Sequence, residues 1–250
     1  PWNYPIQLLL LPVAAAIAAG NSVIAKPSEV SPATSNALAE LIPRYIDSEA
    51  VAVCEGGIDV ATALLEQRFD HIFYTGSTGV GRIVYEAAAK HLTPVVLELG
   101  GKSPVVVHNS AKIDVAARRV AWGKWLNAGQ TCVAPDYIFV PEGKVEEFVK
   151  HAKEIVSSRY DSVNNSDLTA IIDEAAFSRL KATLEDAKEK GAEVVNLLQG
   201  DTLNEESKKI APHVIVNPSD DMIIMQDEIF GPLLPIKTYK SLDEVVADGT

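Results

Sequence analysis

The chain reads as an α/β protein, with a doubly wound parallel sheet over residues 1–101 and a second α/β part over residues 102–250. Three observations carry this reading. Short apolar runs rich in β-branched residues alternate with helical runs through the first part, the pattern that a parallel sheet covered by helices requires. A glycine-rich stretch, Gly76-Ser77-Thr-Gly79-Val-Gly81, stands where an apolar run hands over to a helical one. In the second part a cysteine, Cys132, lies among small and polar neighbours in Asn127-Ala-Gly-Gln-Thr-Cys132-Val-Ala-Pro135. Core packing explains that setting poorly.

The elements follow in order. Pro1-Trp2-Asn3-Tyr4-Pro5 is a rigid, loop-like entry, and residues 6–20 form an Ala-rich helix stopped by Gly20-Asn21. A short buried strand from residue 22 runs into the polar turn Lys26-Pro-Ser-Glu29. Helix 32–45, strand 51–54, helix 59–66 and strand 71–74 alternate, and Cys54 is core packing within its apolar run. After the glycine-rich turn a helix runs through Lys90, and strand 94–98 ends in Val95-Val-Leu-Glu98-Leu-Gly-Gly-Lys102. There a carboxylate interrupts an apolar strand pattern beside a loop. Strand 104–107, helix 111–126 and the β-rich run 137–140 bracket Cys132. Helices 144–159 and 173–190 are charged on one side, the first with Phe148, Val149, Ile155 and Val156 on the other. Residues 161–167 and 200–209 read as polar loops, and a strand over 233–239 precedes a helix starting at Ser241.

Composition narrows the function. With 250 residues, 47% hydrophobic and 22% charged, the chain can bury a substantial core. A net charge of −12, spread through both halves, leaves no basic footprint for nucleic acid or anionic lipid. Cys54 and Cys132 cannot make a disulfide framework and suit a reducing, cytoplasmic compartment. The apolar stretch 6–19 is interrupted by Pro12 and falls short of the roughly 20 residues a spanning helix needs, so no membrane segment is expected. The five histidines lack partners at metal-ligand spacing, so no metal is implied. The chain opens in mid-motif without a methionine and reads as a piece of a longer protein.

A thiolate attacks carbonyls well when it is accessible, its charge is stabilised and a base is near. Cys132 is the candidate nucleophile and Glu98 the candidate base. The glycine-rich turn alone is weak evidence, because Gly76, Gly79 and Gly81 do not fit G-x-G-x-x-G and Arg82 stands where a P-loop needs lysine. The motifs Glu98-Leu-Gly-Gly-Lys102 and Gly129-Gln-Thr-Cys132, taken together, resemble the signature of the NAD(P)-dependent aldehyde dehydrogenases. Gln67-Arg-Phe-Asp-His-Ile-Phe-Tyr74 and Ala134-Pro135-Asp136-Tyr137 resemble the class 3 branch, which includes fatty, benzaldehyde-type and coniferyl aldehyde dehydrogenases.

The resemblance runs over essentially the whole chain and implies the aldehyde dehydrogenase fold, truncated at both ends. It makes 1–101 a dinucleotide-binding domain and 102–250 a catalytic domain. It implies Cys132 as nucleophile, Glu98 as the base that activates water, and Asn3 as the amide donor to the oxyanion. Lys26 and Glu29 then hold the adenosine ribose, leaning toward NAD with NADP possible, and Ser77 contacts the pyrophosphate. Gly76, Gly81 and Leu99 join the cofactor site, while Glu228 and Phe230, in Met225-Gln-Asp-Glu228-Ile-Phe230-Gly-Pro232, meet the nicotinamide ribose and ring. A homodimer and an aldehyde substrate are expected on the same ground.

Plainer readings stay open for several of these residues. Asn3 suits a turn, Lys26 and Glu29 suit a solvated pair capping the next helix, and Phe230 suits a buried ring beside a turn. Trp2, Tyr4, Trp122, Trp125 and Leu126 read either as an apolar substrate passage or as core. The rival functions are a dehydrogenase that passes its acyl group to coenzyme A, which would not need Glu98 as a base, and a non-catalytic nucleotide-binding module.

Overall fold

The computed structural model describes residues 1–248 and divides into two compact units, Pro1–Gly100 and Gly101–Thr250. Unit 1 holds α1 (Gln7–Ala18), β1 (Val23–Ala25), α2 (Pro32–Tyr45), β2 (Val51–Val53), α3 (Ile58–Leu65), β3 (Ile72–Thr75), α4 (Thr78–Ala89) and β4 (Val95–Glu98). The alternation expected from sequence is present, in two separate parallel ribbons, β1 with β2 and β3 with β4.

Local chemistry accounts for the boundaries. Gly20, at φ +80, ends α1, and the amides of Gly20 and Asn21 turn back onto the carbonyls of Ile17 and Ala16. Pro32 opens α2 at a position where its missing N–H costs nothing. That helix buries Ser35, Leu38 and Ile42 along one stripe, and Leu38 and Ile42 pack with Val13, Ala25 and Val51 into a small core. On the second ribbon Phe73 and Val96 are cross-strand neighbours in register and both remain exposed.

Unit 2 contains β5 (Pro104–Val106), α5 (Ile113–Trp125), a single 3-10 turn (Leu126–Gly129), β6 (Tyr137–Pro141), α6 (Val145–Arg159), α7 (Glu174–Glu189) and β7 (Glu193–Asn196). After these come β8 (Leu203–Asn204), β9 (Lys209–Ile210), β10 (His213–Val216), α8 (Ile223–Gln226), β11 (Leu233–Tyr239) and α9 (Leu242–Asp248). Its central sheet runs β5-β6-β11-β10-β7, parallel throughout except for β7 at the edge. Two of these strands, β7 and β10, lie outside the elements read from sequence. The stretch read as the polar loop 200–209 contains β8, which pairs with β9 as a short antiparallel ladder. The amide of Ser207 donates to the Asn204 side chain between them.

Period-two alternation divides this sheet between two apolar layers. Val214, Leu234 and Ile236 face a core shared with α5 and α6, while Ile215 and Leu233 face one shared with α7. Among the described residues no helix is long and apolar enough to cross a membrane.

His213 opens β10 inside this sheet and is almost fully buried, with its Nδ1–H donating to the Ala211 carbonyl at 2.6 Å. Burial pushes its pKa down to about 4, the Ala211 bond opposing that shift and the charge of Lys188 adding slightly to it. The folded pKa lies below the ordinary 6.5, so the unfolded chain takes up the proton first as pH falls. Stability carried by the neutral ring is therefore complete above pH 6.5 and is lost as pH falls toward 4, by about 3 kcal/mol in all. Denaturant unfolding of wild type and His213→Asn across that range tests this, and the stability difference between them is expected to shrink on acidification.

Candidate functional site

Cys132 sits on a loop whose backbone is under strain. After α5 the chain passes through Asn127 at φ 53, Ala128 at φ 52 and Gly129 at φ 74. A left-handed alanine is unfavourable, and consecutive left-handed residues persist only when their surroundings over-determine them. Gln130 does much of this here: it is buried, its Nε2 donates to the Asn127 and Ala170 carbonyls, and its Oε1 accepts from the Ile172 amide. At Gly129 a Cβ would lie 2.2 Å from the Gly231 carbonyl oxygen, so only glycine allows the two backbones to approach. Beyond Gln130 the Ala134 amide closes a turn onto the Thr131 carbonyl. This turn carries Cys132, half-buried with a free thiol, and the exposed Val133.

The loop is tied to the segment that carries Glu228 and Phe230. Asp136, four residues past Cys132 and buried, accepts the Ile229 amide on Oδ1 at 2.9 Å and the Lys102 ammonium on Oδ2 at 2.6 Å. Lys102 also donates to the carbonyls of Ile224 and Asp227 at 2.7 and 2.9 Å. From α7, Arg179 donates to the Ile229 carbonyl, and Trp125 Nε1 donates to the Pro232 carbonyl. Phe230 holds a left-handed φ of 46 between these anchors. The structure thus brings Cys132, Glu228 and Phe230 into one framework within unit 2. Trp125 is buried in the core here, whereas Trp122 and Leu126 are exposed.

Charge is concentrated beside this framework. Lys124 stands on the buried stripe of α5 and is only 1% exposed. Full burial lowers its pKa to about 8 against the attraction of Asp136 and Glu228. Glu228 shifts upward, chiefly through desolvation and then the nearby Asp136 charge, against a hydrogen bond from the Gly101 amide and the cations Arg179 and Lys102. In both groups desolvation is the largest cause of a shift toward the neutral form.

In unit 1 the expected residues fall into two groups at strand ends, with Asn3 in the turn before α1. Lys26 and Glu29 follow β1 and form an ion pair at 3.1 Å, the carboxylate being about half exposed. Glu98 ends β4 with its side chain exposed, and its carbonyl accepts the Gly76 amide at 3.0 Å. Ser77 caps α4, its Oγ accepting from the Val80 amide. A Cβ on Gly81 would meet Leu99 at 2.6 Å, so the glycine lets α4 settle against that residue. A helix N-terminus at the carboxyl end of parallel strands, with a carboxylate and an ammonium on the neighbouring ribbon, is a donor set that fits a dinucleotide.

A family model described as the aldehyde dehydrogenase family matches residues 1–248. The chain belongs to the aldehyde dehydrogenase family. It is 48% identical over 248 residues to a probable coniferyl aldehyde dehydrogenase of Pseudomonas aeruginosa, covering 99% of this chain and 51% of that protein. It is 47% identical over 247 residues to aldehyde dehydrogenase family 3 member A2 of Mus musculus, covering 98% and 49% of the two. Among solved structures, the substrate-bound state of Staphylococcus aureus AldH matches at 42% identity with a TM-score of 0.91, covering 99% of this chain and 53% of that one. The chain spans about half the length of these relatives, and the class 3 resemblance agrees with the first two.

Several residues of this aldehyde dehydrogenase framework carried no role in the sequence reading: Lys102, Lys124, Gln130, Asp136 and Arg179. Lys124 had a visible signal, because it continues the stripe Ala117, Val120, Ala121 of a helix that is otherwise apolar on that face. The others reach partners distant in sequence, which spacing does not reveal.

The depressed pKa of Lys124 has a definite sign. Below about pH 8 the folded chain must hold a buried ammonium that the unfolded chain carries freely, so stability is lost as pH falls from 10.5 to 8, by about 3 kcal/mol. Lys124→Met is expected to unfold at higher denaturant than wild type at pH 7, with the gain vanishing by about pH 10.5. Chemical unfolding at both pH values checks it.

Proposed function

We propose that the whole protein oxidises an apolar aldehyde to its carboxylic acid with NAD+, NADP+ being the other possible acceptor. The observation that carries this reading is the half-exposed thiol of Cys132 on a strained loop, anchored to the segment bearing Glu228 and Phe230. Lys26 and Glu29 would hold the adenosine ribose, residues 76–81 with Leu99 the pyrophosphate region, and Glu228 and Phe230 the nicotinamide end. Free ribose hydroxyls suit the Glu29 carboxylate, and this favours NAD. Ser77 Oγ accepts from the Val80 amide, which leaves its hydroxyl proton to donate to phosphate beside the other amides of the α4 N-terminus.

In the proposed reaction the Cys132 thiolate adds to the aldehyde carbon, and the carbonyl oxygen becomes an oxyanion. The Asn3 side-chain amide and the Cys132 backbone N–H donate to it; one oriented donor of this kind is worth roughly 3 kcal/mol of barrier. When bound, the dinucleotide supplies the hydride acceptor. Loss of hydride from the thiohemiacetal carbon as the carbonyl re-forms leaves a thioester on Cys132. Glu98 takes a proton from water, the resulting hydroxide attacks the thioester, and the acid leaves with the thiolate restored.

Replacing Cys132 with Ala in the full-length protein is expected to abolish NADH formation while calorimetry still records NAD+ binding. Normal turnover by that variant would refute the nucleophile. Glu98→Gln is expected to keep a burst of NADH and lose steady-state rate by about 100-fold, and steady turnover at the wild-type rate would rule out its role as base.

The exposed apolar side chains around the thiol loop, Trp122, Leu126 and Val133, support an aromatic or medium- to long-chain aliphatic aldehyde. With benzaldehyde, coniferaldehyde, hexanal and hexadecanal compared against glycolaldehyde, kcat/KM is expected to favour the apolar compounds by about 10-fold or more. A preference for glycolaldehyde would overturn this choice.

A further inference from the structure

Lys102 and Asp136 belong to the same unit as Cys132 and Glu228, and no step of the proposed reaction uses them. Their geometry is unusually complete. The Lys102 ammonium has three N–H donors and three acceptors within 2.9 Å: Asp136 Oδ2, the Ile224 carbonyl and the Asp227 carbonyl. The Asp136 carboxylate, nearly fully buried, spends its other oxygen on the amide of Ile229, the residue between Glu228 and Phe230. With all donors of the ammonium committed, Lys102 has none left for a ligand. What the pair does have is a place on three pieces of chain at once: the entry to β5, the end of the Cys132 loop and the segment 224–230.

We propose that the Lys102–Asp136 pair is a positioning device that fixes Glu228 and Phe230 relative to the Cys132 sulfur. The proposal rests on the aldehyde-oxidising reading for its kinetic consequence. Hydride transfer requires the reacting carbon on the sulfur and the acceptor ring to be held within a fraction of an ångström of their working separation, and a shift of about 1 Å can cost 100-fold in rate. The hydrogen bond from Ile229 to Asp136 is a direct link between the nucleophile's loop and the two residues expected at the nicotinamide end. The lysine makes that link rigid, because it neutralises the buried carboxylate and grips the same segment at Ile224 and Asp227. Phe230, in its left-handed conformation, depends on such grips, since a free loop would relax to an ordinary backbone angle.

The test uses the full-length protein in wild type, Lys102→Met, Lys102→Arg, Asp136→Ala and, as a remote control, Lys181→Met, which breaks an exposed ion pair with Glu205. Hydrogen exchange reads the clamp without reference to activity. In Lys102→Met and Asp136→Ala the amides of 227–230 are expected to exchange about 10-fold faster or more, with β6 and β11 unchanged. Equal loosening of those strands would make the pair general scaffold and overturn the proposal.

Kinetics reads the consequence. KM for NAD+ is expected to rise about 10-fold and kcat to fall, while iodoacetamide alkylates Cys132 in the absence of cofactor within about two-fold of the wild-type rate. Lys102→Arg keeps the charge but cannot point three N–H groups in the same tetrahedral fan, so it should fall between wild type and Lys102→Met in both measurements. An unchanged KM for NAD+ in a folded Lys102→Met enzyme overturns the proposal, as does an effect of equal size in Lys181→Met. If wild type forms no NADH from any aldehyde, the functional reading fails by itself, and the exchange pattern still upholds or overturns the clamp.

Discussion

A buried carboxylate organises unit 2. Asp136 is taken out of water, and an unpaired charge in that position would cost several kcal/mol. It is kept because an ammonium and a backbone amide together satisfy it. Such a pair adds little net stability over a well-packed apolar substitute, but it tolerates few alternative geometries. The entry to β5, the thiol loop and the 224–230 segment must each arrive in the right place for the charges to be matched, so the arrangement specifies structure more than it strengthens it.

That specificity is what allows strain to be stored nearby. Asn127, Ala128 and Phe230 all adopt left-handed backbone angles, each costing of order 1–3 kcal/mol. Each strained stretch lies within three residues of a residue whose polar groups are tightly held: Gln130 braces Asn127 and the 170–172 backbone, and Ile229 is gripped by Asp136 on one side and Arg179 on the other. The close approach of Gly129 to Gly231 joins the two strained stretches directly. Sharp turns thus carry both Cys132 and Phe230, and those turns are held by hydrogen bonds to their backbone.

The legible and illegible parts of the chain separate along a physical line. Alternating periods read out α1 to α4 and β1 to β4, since each was marked by its own apolar pattern and by local stops such as Gly20 and Pro32. The cysteine loop was legible because a cysteine among small and polar residues is chemically conspicuous. β7 and β10 were missed although they are as long as β3 and β4, because β7 begins and ends on polar residues and β10 opens on His213, while β8 and β9, with two residues each, are too short to establish a period and were taken for loop. Lys102, Asp136 and Arg179 were illegible as site residues for another reason. Lys102 and Asp136 pair with each other across 34 residues of chain, and their other partners, like that of Arg179, are backbone carbonyls and amides, which every residue has, so no spacing rule announces them.

Lys124 and Glu228 shift in opposite directions for the same leading physical reason. One is a cation pushed toward its neutral form and the other an acid pushed toward its own, and desolvation leads in both cases even though opposite charges lie near. Attraction between neighbouring charges normally widens the range over which both stay ionised. Here the loss of water is the largest cause, and a like charge adds to it in each case, Lys102 at Lys124 and Asp136 at Glu228. Where a group is shielded from water, fixed dipoles and charges act on it more strongly than they would in water. The framework around Asp136 rests on that same cause: its carboxylate is buried, so its pairing with the Lys102 ammonium and the Ile229 amide is obligatory, and both bonds are stronger than they would be in water.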